Sequence, residues 1–157
     1  MSDCKYKIRR AMAADLEHLL HHRRAMFYEM GYTDAAVLDG MEAACRPFLK
    51  TALNDGRYRS WVAESADGTV IAGGGVIILP WLPSPIDVRP LRAMVLNIYT
   101  EPEFRRQGVA RSLMETIIAW CRSEGFQTVA LHASDQGRPL YESMGFAPTN
   151  EMRLALR

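Results

Sequence analysis

The stretch Thr100-Glu101-Pro102-Glu103-Phe104-Arg105-Arg106-Gln107-Gly108-Val109-Ala110 lies between an apolar segment and a long amphipathic one, and its residue types suit an anion. The first N–H groups of a helix have no intrahelical acceptor and sit at the positive end of its dipole, so a phosphate can dock against them. Gly108 lets such a ligand come close to the backbone, where a β-carbon would stand in the way. Ala110 keeps the next turn clear, and Arg105, Arg106 and Arg111 surround the place with positive charge. Taken alone, the segment also fits a glycine that merely eases a helix start beside a solvated arginine face. Two familiar phosphate motifs are absent: no glycine-rich loop ends in Lys followed by Ser or Thr, and Gly73-Gly74-Gly75 falls within a strand. There the triplet predicts a bulge or a close backbone approach.

A second group is Ser134-x-x-Gly137-x-x-Leu140-Tyr141-x-x-x-Gly145-Phe146. By itself Tyr141 reads as a core aromatic on a short helix, beside Leu140 and Phe146. The groups together resemble a family. Arg105-x-x-Gly108-x-Ala110 is similar to the acyl-CoA pyrophosphate loop of the GNAT N-acetyltransferases, and Ile98-Tyr99-Thr100-Glu101-Pro102 resembles the end of that family's fourth strand. The second group resembles its segment Asn-x-x-Ala-x-x-Leu-Tyr-x-x-x-Gly-Phe. Ser134 and Gly137 depart from it, standing where the family commonly has Asn and Ala.

The resemblance implies an acyltransferase that moves an acetyl group from acetyl-CoA, as cosubstrate and without a metal, to an amine. It implies that strands four and five splay and that the pantetheine arm pairs with the backbone of Ile98, Tyr99 and Thr100. The loop of Arg105, Arg106, Gln107, Gly108, Val109, Ala110 and Arg111 would then hold the pyrophosphate. Tyr141 would be the general acid that protonates the departing thiolate. Ser134 is either a cofactor contact or a helix cap. The general base is not singled out: Glu64, Glu101, Glu103 and Asp135 are candidates, with Asn97 as a group that could orient a water. His132 reads as a hydrogen-bonded structural residue. His21 and His22, being adjacent on a helix, are expected to point to different sides and not to share a metal, though one could reach the acceptor. Met26, Tyr28, Met30 and Tyr32 are open between core filling and pocket lining, with helical spacing favouring the core for Met26 and Met30.

The elements that must position these groups follow from periodicity and punctuation. A short strand over 5–10 precedes a helix capped at Ala14-Asp15 and ending at Gly31, and Asp34 opens a second helix that Pro47 should kink or divide. Strands over 58–64 and 70–79 flank the turn Ala66-Asp67-Gly68-Thr69, and Pro80 to Pro90 is a loop. A strand over 92–100, a helix over 108–124, a strand over 127–133, a short helix over 138–143 and a last strand over 151–156 complete the order. This predicts one α/β domain over residues 1–157. Its expected architecture, on the resemblance, is a central mixed, mostly antiparallel sheet with splayed fourth and fifth strands and helices on both faces. The acceptor would be shaped by the helix pair and by the loops 31–39 and 80–90.

Nineteen Lys and Arg against eighteen Asp and Glu leave a formal charge of +1, so no global field recruits nucleic acid or an anionic membrane. Cys4, Cys45 and Cys121 are odd in number and lack zinc-ligand spacing, which suits a reducing cytoplasm. The N-terminal residues lack a signal-peptide core, and no apolar run is long enough to span a bilayer. Exposed sheet edges make a homodimer plausible. A second class of reading is an acyl-CoA sensor of the same fold that binds without catalysing.

Overall fold

The computed structural model describes residues 5–156. Strand β1 (Tyr6–Arg10) leads through a 3-10 turn (Ala13–Asp15) into helices α1 (Leu16–Glu29) and α2 (Ala35–Asp55). Strands β2 (Tyr58–Ser65), β3 (Val70–Pro80) and β4 (Leu91–Thr100) follow, then a 3-10 turn (Pro102–Phe104), helix α3 (Val109–Ser123), strand β5 (Val129–Leu131) and helix α4 (Arg138–Ser143). The sheet runs in the order β1-β2-β3-β4-β5. The first four strands are antiparallel neighbours, and β5 lies parallel to β4 because the α3 crossover returns the chain in the same direction. This is the mixed sheet expected from the sequence.

Each face of the sheet is covered. On one, Leu113, Met114, Ile117 and Cys121 of α3 pack on Trp61, Ala63, Ile71, Ala93 and Val95. On the other, Leu19 and Leu20 of α1 and Leu49 and Ala52 of α2 pack on Tyr58, Val62 and Val70. The i, i+3, i+4 apolar spacing of each helix supplies that face. Between the two cores the glycine triplet does what its lack of side chains allows. A β-carbon on Gly73 would come within 2.8 Å of His22 Nδ1, one on Gly74 would strike Ile98, and one on Gly75 would strike the Tyr58 ring. The β3–β4 register also slips between Gly73 and Gly75. Opposite that slip Asn97 is left-handed at φ 64°, a conformation that Asn tolerates better than other side chains.

Several expectations are corrected. Residues 151–156 form no strand and are exposed. Strand β5 is shorter than expected, three residues. The Asp15 side chain does not cap α1; it accepts from the Met12 N–H and, in two bonds of 2.8 and 2.9 Å, from the Arg9 guanidinium. Arg9 also pairs with Glu64. Helix α2 runs through Pro47 without division. It is capped by the Asp34 carboxylate accepting from Ala36 N–H at 2.9 Å and held by Leu38, Leu49 and Ala52, which are buried. That packing offsets the one backbone hydrogen bond the proline removes. Cys45 is half-buried and Cys121 buried, both as free thiols, while Cys4 lies outside the described residues. Among the described residues no helix is long and apolar enough to cross a membrane.

Candidate active site

Strand β4 pairs with β5 only through Ala93, Met94 and Val95. Beyond Val95 the two strands separate, so among the described residues β4 from 96 to 100 has no strand partner on that side. The gap opens onto the loop before α3. There Arg106 (φ 59°) and Gly108 (φ 83°) both take the left-handed conformation, which gathers successive N–H groups into a concave, anion-binding backbone. Gly108 is the N-cap of α3. No protein atom lies within 4 Å of where its β-carbon would stand, so the glycine answers to its positive φ and to whatever occupies the cleft, not to packing.

A cavity of about 820 Å³ joins these parts. Ile98, Tyr99, Thr100, Arg105, Arg106, Gly108, Val109, Ala110, Arg111, Ser134 and Tyr141 all line it. Gln107 does not: its side chain donates back to the Glu103 carbonyl at 3.1 Å. Helix α1 and its C-cap supply a further wall, where Met26, Glu29 and Met30 face the cavity, and of these the sequence did not single out Glu29. Of the two readings open for the methionines, pocket lining is the one found, against the preference that helical spacing gave. Helical spacing identifies a buried face but cannot tell a core from a cleft, and Met30 remains half exposed.

Arg105 has a different task from the one its charge suggested. Its Nε donates to the Thr100 carbonyl at 2.8 Å, its guanidinium pairs with Glu29 at 2.7 Å, and it lies over the Tyr99 ring. It therefore clasps the loop to β4 and α1. The Glu29 hydrogen bond raises its already high pKa further, so the clasp is permanently charged. Arg111 donates to Ser143 Oγ at 2.6 Å, tying α3 to α4.

Tyr141 sits on α4 with its ring edge-on to Phe146 at 5.9 Å. Burial raises its phenol pKa above the ordinary value. Gly137 makes room for it, since a β-carbon there would be 2.8 Å from Tyr141 Cε2 and 3.2 Å from Ser134 Oγ. Ser134 Oγ accepts from the Gly137 N–H at 3.1 Å and so holds the turn ahead of α4, whose N-cap is Gly137 itself, while the residue also lines the cavity.

The base candidates separate. Glu64 is engaged by Arg9 and Lys7 on the β1–β2 edge. The Asn97 amide is buried and donates to the Leu19 carbonyl at 3.1 Å. Glu103 is exposed and outside the cavity, whereas Asp135 lines it. Glu101 lies 2.6 Å from His21 Nε2 and 4.0 Å from His22 Nε2, so the two histidines converge on one carboxylate rather than diverging. Adjacent helical residues differ by about 100° around the axis, and long side chains close that angle. Among the described residues no cluster of His, Cys, Asp or Glu could hold a metal ion. Fully buried His22 stacks near Tyr99, and burial holds its pKa down to about 3. Its ring nitrogens, Thr100 Oγ1 and Asn97 Oδ1 are buried without a hydrogen-bond partner in the protein. His132 bonds Glu151 at 2.7 Å, as a structural histidine would.

A smaller cavity of about 400 Å³ lies on the other side of α1, lined by His21, Arg24, Tyr28, Thr33, Leu38 and Tyr99 among others. It shares Glu29 and Tyr99 with the larger one. The loop after Gly31 contributes to it, but no residue of loop 80–90 lines either cavity. That loop precedes β4, a strand length of roughly 30 Å from Thr100, and is tied instead to Glu124 and Gln127. Tyr28 lines the smaller cavity, and Tyr32 packs on Phe27.

With this geometry in hand, comparison with known proteins is informative. Residues 16–146 match the model of the acetyltransferase (GNAT) family. The human protein N-acetyltransferase 8B is 30% identical over 126 residues, 76% of this chain and 50% of that protein. The chain thus spans half or less of the length of such curated relatives. A GCN5-related N-acetyltransferase from Ralstonia eutropha superposes with a TM-score of 0.91 at 36% identity, covering 96% of this chain and 98% of that one. A predicted acetyltransferase from Clostridium acetobutylicum, solved with acetyl-CoA, shares the fold with a TM-score of 0.85 at 23% identity, covering 97% and 96%. The chain therefore belongs to the GNAT family of acetyltransferases.

Proposed function

We propose that the chain transfers an acetyl group from acetyl-CoA to a primary amine by direct attack. One juxtaposition carries this reading: the left-handed loop before α3, the unpaired end of β4 and the Tyr141 ring all line one cavity. The residues fit the cosubstrate. Gly108 leaves the face open where a β-carbon would intrude, the backbone of 98–100 has a free edge for a pantetheine amide, and Thr100 Oγ1 is a buried polar atom in need of a partner. Support for the donor and the reaction also comes from the Clostridium protein solved with acetyl-CoA and from the relative's name. When bound, acetyl-CoA supplies an activated acyl group and a thiol leaving group with a reference pKa of about 8.5.

The chain's own residues would then handle protons at the two ends. A phenol is protonated at neutral pH and burial only raises the Tyr141 value further, so its Oη can donate to the departing sulfur. On the acceptor side His21, which lines the smaller cavity and is paired with Glu101, would take the amine's proton. His22 cannot share that task, because a group held down to about pKa 3 is a weak base. The amine would enter through the smaller cavity.

The test is incubation with acetyl-CoA and a panel of amines, read as free CoA thiol. Turnover is expected with at least one primary amine. Tyr141→Phe should slow the single-turnover rate by about 10²–10⁴-fold with little change in acetyl-CoA affinity. Equal rates in the two proteins would reduce Tyr141 to a packing residue. Tight acetyl-CoA binding with no turnover on any amine would favour a sensor.

A further inference from the structure

The side chains lining the smaller cavity that can carry charge are Arg24, Glu29 and His21, and each is already engaged. Arg24 donates to Asp39 at 2.8 Å and to Glu42 at 3.2 Å, Glu29 accepts from Arg105 at 2.7 Å, and His21 lies 2.6 Å from Glu101. The rest of the lining is uncharged: the small Ala25 and Ala35, buried Leu38, Thr33 and the rings of Tyr28 and Tyr99.

The way these pairs are made decides what charge a ligand can bring. Arg24 belongs to a network in which Glu17, Asp39 and Glu42 share Arg24 and Arg46, so carboxylates outnumber guanidinium groups. A ligand carboxylate could reach Arg24 only by displacing Asp39 or Glu42, and would meet their repulsion as it did so. A second ammonium is no better placed. Among the described residues the one carboxylate lining the cavity is Glu29, and taking it would release the Arg105 clasp on the loop before α3. The acidic surplus does favour the approach of a single ammonium.

Size narrows the choice further. About 400 Å³ is near the small end of ligand pockets, room for a ring and a short arm. The space shares Glu29 and Tyr99 with the larger cavity, so an amine directed there leaves its body against Ala25, Ala35 and Leu38. An apolar body gains by leaving water for such walls.

We propose, resting on the reading that the amine enters through this cavity, that the acceptor is a compact primary monoamine with an apolar, ring-sized body, bearing neither a carboxylate nor a second ammonium. Ala25 and Ala35 leave the room for that body, and the contacts of Arg24 with Asp39 and Glu42 exclude acids.

Matched amines test this. Calorimetry with CoA present, where no acyl group can move, compares phenethylamine with phenylalanine, which adds a carboxylate, and hexylamine with hexamethylenediamine, which adds an ammonium. The monoamine is expected to bind more tightly in each pair, by about 30-fold in the first and about tenfold in the second. Asp39→Asn with Glu42→Gln frees Arg24 and should raise the affinity for phenylalanine about tenfold while leaving that for phenethylamine nearly unchanged. Ala25→Leu, one good helix former for another, should weaken phenethylamine about tenfold with an unchanged circular dichroism spectrum. No detectable binding, equal affinities within either pair, or phenethylamine binding indifferent to Ala25→Leu would overturn the proposal. Thiol release from acetyl-CoA with the same amines separates it from the reading beneath it. Phenethylamine bound with the expected preference but left unacetylated would sustain the ligand class and sink the transfer, whereas faster acetylation of phenylalanine than of phenethylamine would sustain the transfer and overturn the class.

Discussion

Removing the titratable group at His22 should flatten the acid limb of the stability curve. The imidazole is 1% exposed, and its folded-state pKa is about 3 against an ordinary 6.5, with burial as the first cause and His21 and His18 adding to it. Because the folded value lies below the unfolded one, the unfolded chain binds the extra proton between these limits, and stability rises with pH across that window. The slope is about 1.4 kcal/mol per pH unit. The contribution is complete above 6.5 and declines as pH falls towards about 3. By pH 4.5 the wild type should have lost about 3 kcal/mol from this group alone, relative to pH 7.5. Urea unfolding of the wild type and of His22→Gln at matched pH values isolates the term, since carboxylates such as Asp15 and Glu64 titrate in both proteins. The difference in unfolding free energy between them should shift by that amount across the range, whatever its value at pH 7.5. A difference that stays constant with pH, or an imidazole seen by NMR to titrate near 6.5, would refute the reasoning.

Acetyl-CoA at about one hundred times its dissociation constant should stabilise the fold by about 2.7 kcal/mol. Gly108→Val, which forces a β-branched residue to φ 83°, should abolish the accompanying shift in melting temperature. Gly137→Ala places a methyl 2.8 Å from the Tyr141 ring and should lower kcat by about tenfold while leaving the acetyl-CoA dissociation constant nearly unchanged; an unchanged kcat would mean the ring has slack. Cys45→Ser and Cys121→Ser should both retain acetyl transfer. Burial and Glu124 push the Cys121 thiol up to about 11, so it is not a nucleophile at neutral pH. In denaturant titrations its replacement should cost about 1–3 kcal/mol for burying a hydroxyl, and the half-buried Cys45 should cost less.

The parts of the site legible in the sequence are those encoded locally. Arg105 to Ala110 and Ser134 to Phe146 each lie in one short segment, where backbone geometry and neighbouring residues decide the function together. Asn97 was also readable in principle, as a polar residue of a type tolerant of positive φ inside an apolar strand. What local pattern could not carry was anything set by the meeting of distant elements. Glu29 meets Arg105 across 76 residues and His21 meets Glu101 across 80, and no spacing rule connects them. The division that Pro47 allowed for fails for the same reason: the propensity penalty is local, and the packing that overcomes it is not. The strand pattern at 151–156 is sound as a pattern, but alternation fixes only which side chains share a face and not whether the backbone joins a ladder.

Helix α1 stands as a party wall between the two cavities. Met26 and Met30 face one chamber, His21, Arg24 and Tyr28 face the other, and Glu29 is common to both while holding Arg105. If the smaller cavity receives the amine as proposed, drift in acceptor preference has unequal freedom along the sequence. At Thr33, Ala35 and Leu38 the lining changes on one side only, whereas at Glu29 it changes the room for one substrate together with the fastening of the loop proposed to hold the other. New specificities within this scaffold are accordingly most accessible from α2 and the turn before it, with the shared helix as the part that keeps the donor side constant.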